Sequence, residues 1–61
     1  MMATLSERYE AHAGWCDSQV PQYISLAQEA MKQETKDRYI AMASRYKEAS
    51  IWWRQHAKEM E

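Results

Sequence analysis

One glycine, one proline and one cysteine are all that this 61-residue chain offers of the residues that usually shape a small fold. A single cysteine, Cys16, excludes an intrachain disulfide and suits a reducing compartment. With Gly14 and Pro21 alone of their kinds, and no Asn-Gly or Asp-Gly pair or strict alternation of apolar and polar residues, strands have no footing. No apolar run approaches the ~18 residues of a membrane span, and the opening MMATLSERYE lacks the apolar stretch of a signal peptide, so a cytoplasmic chain without a membrane anchor is expected. A basic excess is missing too. Eight Lys and Arg stand against nine Asp and Glu, which removes the phosphate attraction that supplies most non-specific nucleic-acid affinity. Nothing in the chain has the form of a catalytic motif, and no enzyme activity or cofactor is expected.

What is present is helical periodicity. Tyr39, Met42, Tyr46, Ala49, Trp53, His56 and Met60 recur at alternating steps of three and four, one stripe of an amphipathic helix over about residues 36–60. In the first half, Tyr9, Cys16, Tyr23 and Ala30 stand seven apart, flanked by Leu5, His12, Val20, Leu26 and Ala27, and define a helix over about residues 4–33. Pro21 removes a donor from that helix and Gly14 weakens it, so a kink near Gly14–Pro21 or a break into two helices capped by Asp17 or Ser18 is expected there. The polar run Gln33, Glu34, Thr35 and Lys36 places the turn at about residues 33–35, with Thr35 as cap.

These readings give an all-α fold, a single domain over residues 1–61 built as an antiparallel helical hairpin. Folded at residues 34 and 35, the hairpin sets Ala30 against Tyr39, Tyr23 against Tyr46, Cys16 against Trp53 and Tyr9 against Met60. Small meets large in two of these layers, as an interdigitated core needs. Ile24, Met31, Ile40, Ala43 and Ile51 widen the apolar face beyond what one helix covers, so pairing into a homodimeric four-helix bundle is expected.

Candidate site residues follow from the same pattern. Tyr23, Tyr39, Ile40, Tyr46, Ile51 and Trp53 are expected at the dimer or partner interface. Trp52, turned about 100° from Trp53, is expected to face a second interface or water, with Trp15 near the same end to join an aromatic cluster, and all three tryptophans are expected as core or dimer contacts in preference to a dedicated partner pocket. His12, Cys16 and His56 could approach one another as zinc ligands, but a buried thiol beside two half-buried histidines accounts for the same residues, and no metal is expected. Arg38, Arg45, Arg54 and Lys58 are the candidate nucleic-acid contacts of a second reading, in which Arg and Trp side chains hold phosphate and stack on bases. Asp37, Glu48 and Glu59 blunt that field, and a protein–protein adaptor or regulator is the preferred expectation.

The second helix, RYIAMASRYKEASIWWRQHAKEME, together with the length and layout of the chain, resembles the small orphan helical-hairpin proteins of lambdoid phages, in the lytic-development region. That resemblance implies a helical hairpin that pairs into dimers and a role in phage or host regulation. It carries no diagnostic motif and transfers no residue roles.

Overall fold

Thr4 stops the first helix from starting earlier. In the computed structural model, which describes residues 4–59, its backbone is extended (φ −67°, ψ 163°) and its hydroxyl accepts a hydrogen bond from the Glu7 amide at 3.1 Å. Thr4 and Glu7 stand at the spacing of a capping box, and the Glu7 carboxylate lies in the first turn, where the helix dipole favours it. Helix α1 (Leu5–Glu29) then runs without interruption through Gly14 and Pro21. The chain therefore takes the single-helix alternative, and neither Asp17 nor Ser18 caps a new helix. Ser18 instead donates its hydroxyl proton to the Trp15 carbonyl at 2.6 Å. Pro21 denies the Asp17 carbonyl its usual amide donor, but both residues are exposed, where water can solvate that carbonyl.

Gly14 serves no conformational purpose in this helix. Among the described residues none has a positive φ, and a Cβ at Gly14 would meet nothing within 4 Å. Gly14→Ala is therefore expected to stabilise the fold by about 0.5–1 kcal/mol through helix propensity alone. A higher urea midpoint with an unchanged slope is the result that checks this.

The turn falls at residues 30–32 rather than at 33–35. The Ala30 amide closes α1 by donating to the Leu26 and Ala27 carbonyls at 3.0 and 3.3 Å, and the Ala30 backbone then becomes extended. Helix α2 (Gln33–Glu59) begins three residues before the expected Thr35–Lys36 boundary. The polar run starts this helix instead of interrupting it, because its side chains pair at the helical spacing. Gln33 donates to Asp37 at 2.9 Å and Arg38 to Glu34 at 3.3 Å, with Glu34 in the first turn. The expected Thr35 cap is thus an interior helical position.

Moving the turn moves the pairing. Ser6 lies against Ala57, Tyr9 against Trp53, Trp15 against Tyr46 and Tyr23 against Tyr39, so paired numbers add to about 62 rather than 69. The slip is one heptad. Since the stripes repeat every seven residues, the same faces meet and only the partners change. Tyr23 keeps its expected contact with Tyr46, while Tyr9 meets Trp53 and the seam position of Cys16 comes level with Tyr46. Met60, the expected partner of Tyr9, lies outside the described residues.

The tightest part of the interface is made of small side chains. Ala13, Cys16, Ala27, Ala43, Ser50 and Ala57 are all buried, Ala13 and Ala57 at 0% exposure. On α1 the positions Ser6, Ala13, Val20 and Ala27 stand seven apart, and on α2 so do Ala43, Ser50 and Ala57. The observed register lays one row along the other. Small residues let the two backbones approach, close enough for the Ser6 hydroxyl of α1 to donate to the Ala57 carbonyl of α2 at 3.2 Å. Among the described residues, no helix is long and apolar enough to cross a membrane.

Candidate functional site

Close approach along the small-residue seam leaves no room between the helices for large rings, so the rings turn to one side. All four tyrosines, all three tryptophans and both histidines form one connected set there. From the turn end, Tyr39 lies 6.1 Å from Tyr23, and Tyr23 stacks on Tyr46 at 5.5 Å. The Tyr46 ring meets the edge of Trp15 at 5.6 Å, and Trp15 stacks on His12 at 5.7 Å. Trp53 is the hub at the open end of the hairpin, with Tyr9, His12 and Trp52 each at 4.8 Å in edge-to-face geometry. These separations and angles are those that aromatic quadrupoles favour. Burial, and next the neighbouring Tyr23 phenol, pushes the Tyr46 hydroxyl above its ordinary pKa.

Trp52 ends the chain of rings at the surface. It is 47% exposed, stacks on His56 at 3.7 Å, and its carbonyl lies 2.9 Å from the His56 Nδ1. Trp15 is 50% exposed at the other margin of the same face. Tyr23, Tyr39, Tyr46 and Trp53 are half-buried, inward of these two. The expected inward turn of Tyr39, Tyr46 and Trp53 therefore appears as a ring ladder with one side against the partner helix and the other open.

The opposite side of the hairpin has another chemistry. Arg54 donates to the Asp17 carboxylate across the helix pair and, at 2.6 Å, to the hydroxyl of Ser50 in the small-residue seam. Its guanidinium, followed by the Ser50 hydroxyl, holds the Asp17 carboxyl below its ordinary pKa, while Asp17 raises that of Arg54 and Glu10 adds to the same field. A carboxyl whose folded pKa is depressed stabilises the fold above its unfolded value, and that contribution is lost as pH falls through the folded value. Asp17→Asn is therefore expected to flatten the acid side of the stability profile. The check is the thermal midpoint at neutral and acidic pH, where wild type should fall further than the variant. Both groups are about half exposed, so the effect is small.

Ile24 and Ile40 lie on this charged side near the turn, lining a groove of about 340 Å³ with Ala27, Gln28, Gln33 and Lys36. Helical spacing puts Ile51 on the same side as Ile40. The eight residues expected at one interface are thus divided, with Tyr23, Tyr39, Tyr46, Trp15, Trp52 and Trp53 on the ring side and the two isoleucines across from them. No protein-family model, curated protein or solved structure matches this chain.

The basic residues also fail to form one surface. Arg38 and Arg45 share a heptad position with Trp52 beside the rings, while Arg54 lies with Asp17 and Lys58 follows it on the charged side. Arg38 is engaged by Glu34 and Arg54 by Asp17. His12 and His56 are held by tryptophan rings and Cys16 is buried in the seam, and among the described residues no three His, Cys, Asp or Glu side chains gather where a metal ion could sit.

The periodicity of the rings was open to sequence reasoning, but two features escaped it. One is the small-residue row, visible in retrospect as Ser6, Ala13, Val20 and Ala27 facing Ala43, Ser50 and Ala57. The other is the charged seam, in which Glu10 and Asp17 stand seven apart on α1 and Lys47 and Arg54 seven apart on α2. Acid on one helix and base on the other is the signal for that side.

Proposed function

We propose that the chain is a non-enzymatic protein–protein interaction module, a small adaptor or regulator that pairs with itself as a four-helix bundle and uses Trp52 as an anchor of its aromatic interface. The observation that supports this reading is the ring ladder, nine aromatic and imidazole side chains in continuous contact along one side of a two-helix hairpin. Contiguous apolar and aromatic surface at this density is what protein interfaces use, with Trp and Tyr as their main anchors. An adaptor role asks nothing of the chain beyond such a surface, and a regulator acting in phage or host development would use it in the same way.

Nucleic-acid binding has less support, because the four candidate cations are shared between two sides and two of them are already paired with carboxylates. A photo-reactive residue at position 52 distinguishes the readings when set beside the same residue at position 47 on the charged side. Covalent protein adducts from position 52, and few from position 47, are expected in the cells that make the protein. A chain that gives no protein adduct at either position, yet retards DNA or RNA at low salt, contradicts the proposal.

A further inference from the structure

A single hairpin is one layer of helix. Its Cα atoms span 46 × 21 × 10 Å with a radius of gyration of 14.3 Å, where a compact 61-residue domain has a radius of about 10–11 Å. Stable domains bury the apolar side of each layer against another layer. The exposed area says how much is left over. The chain exposes 4924 Å², against about 4,200 Å² for a globular monomer of its 7.3 kDa mass. The surplus of about 700 Å² is close to the ~800 Å² that each partner loses in a standard protein interface.

Charge decides which side is covered. Beside the rings, the outer row of α1 is Leu5, His12, Gln19 and Leu26, and that of α2 is Met42, Ala49 and His56, each row seven residues apart. Neither row holds an Asp, Glu, Lys or Arg. On the other side the corresponding rows carry Glu10 and Asp17 on α1 and Lys47 and Arg54 on α2, with the Asp17–Arg54 pair already closed. Covering that side would strip water from the Asp17–Arg54 pair and from Glu10 and Lys47, whereas the charges of the ring side, Arg8, Glu29, Arg38, Arg45 and Glu59, stand only in its outermost rows with Trp15 and Trp52, where long side chains reach water at the rim. A charge-free strip is also self-complementary, since the same patch meets itself in a two-fold dimer and like charges would repel there.

We propose that a second copy of this chain covers the ring side, layer on layer, and that the Asp17–Arg54 side with Ile40 and Ile51 stays in water. This rests on the interaction reading above and names the first occupant of that surface and the face it takes.

Sedimentation equilibrium of the full chain at micromolar concentration tests it with two variants, Ala49→Glu in the uncharged row and Ile51→Lys on the charged side. Wild type and Ile51→Lys are expected at the mass of two chains. Ala49→Glu should associate about a hundredfold more weakly, because it places an unpaired carboxylate in the interface. Helix content by circular dichroism shows whether that variant remains folded. Thiol labelling covers the case in which it does not. In a Cys16→Ala background, Ala49→Cys should react slowly with a bulky maleimide at high protein concentration and faster on dilution, while Ile51→Cys reacts fast at both. A wild-type mass of one chain overturns the proposal together with the self-pairing part of the interaction reading, while adducts from position 52 to other proteins test the rest of that reading separately. A dimer broken by Ile51→Lys, or one that protects the thiol of Ile51→Cys and not that of Ala49→Cys, overturns the choice of face.

Discussion

Ala13→Leu is expected to destabilise the hairpin by about 2–3 kcal/mol, as extra methylenes do when forced into a closed core. Ala13 has 0% exposure and comes level with Ser50, itself 1% exposed, in the small-residue seam. A leucine there has no free rotamer on the seam. It must push α2 away, which lengthens the contact between the Ser6 hydroxyl and the Ala57 carbonyl and moves Arg54 from Asp17. Total stability for a chain of this size is roughly 3–9 kcal/mol, so the variant should approach the unfolding threshold. Chemical denaturation followed by far-ultraviolet circular dichroism measures the loss. A change below about 0.5 kcal/mol, the range of ordinary surface substitutions, would show that the seam is not tight.

Trp53→Ala should cost nearly as much, by a different route. Trp53 alone bridges Tyr9, His12 and Trp52, so its removal cuts the ladder into separate pieces. Deleting a fully buried Trp costs about 3–5 kcal/mol, and this one is half-buried, so about 2–3 kcal/mol is expected. Trp53→Phe keeps an edge for the neighbouring rings and should recover most of the loss. The near-ultraviolet dichroism of the rings should collapse in the alanine variant and persist in the phenylalanine variant. The two experiments are complementary, because leucine at position 13 strains the seam and leaves the rings, while alanine at position 53 does the reverse.

Periodicity carried the sequence reading as far as faces and no further. The stripe through Tyr39, Tyr46 and Trp53, and its counterpart through Tyr9 and Tyr23, were legible because a heptad step survives any shift of the turn. The turn itself was not. Gln33, Glu34, Thr35 and Lys36 have the composition of a loop, and only the bonds from Gln33 to Asp37 and from Arg38 to Glu34 show them to be the first turns of a helix. That three-residue displacement moved every layer by one heptad. The small-residue row stayed hidden for another reason, since alanine and serine carry little weight in an apolar pattern and their role appears only when two such rows face each other. Pro21 left a continuous helix and a broken one both open, and α1 takes the continuous form with the proline on an exposed side, where water can solvate the carbonyl it leaves without a donor.

The candidate site shows the same division. Every ring of the ladder was visible as a residue, and the grouping of Tyr23, Tyr46 and Trp53 followed from their spacing, whereas spacing set Trp52 apart and only its contact with Trp53 joins it to the ladder. Placing Ile40 and Ile51 on the other side required the Asp17–Arg54 contact, which fixes where the charged seam lies. The widened apolar face inferred from composition is in the structure two separate surfaces. One is aromatic, with charges only in its outermost rows, and the other is a small isoleucine groove among ions.

The three tryptophans supply the most direct test of the whole account, because Trp15, Trp52 and Trp53 all lie on the ring side and report on nothing else. Acrylamide quenching of their fluorescence should be weak at concentrations where the mass is that of two chains and should strengthen on dilution as the mass halves. Tryptophans that are quenched equally at every concentration, while the chain remains paired and helical, would place the interface elsewhere and contradict the account.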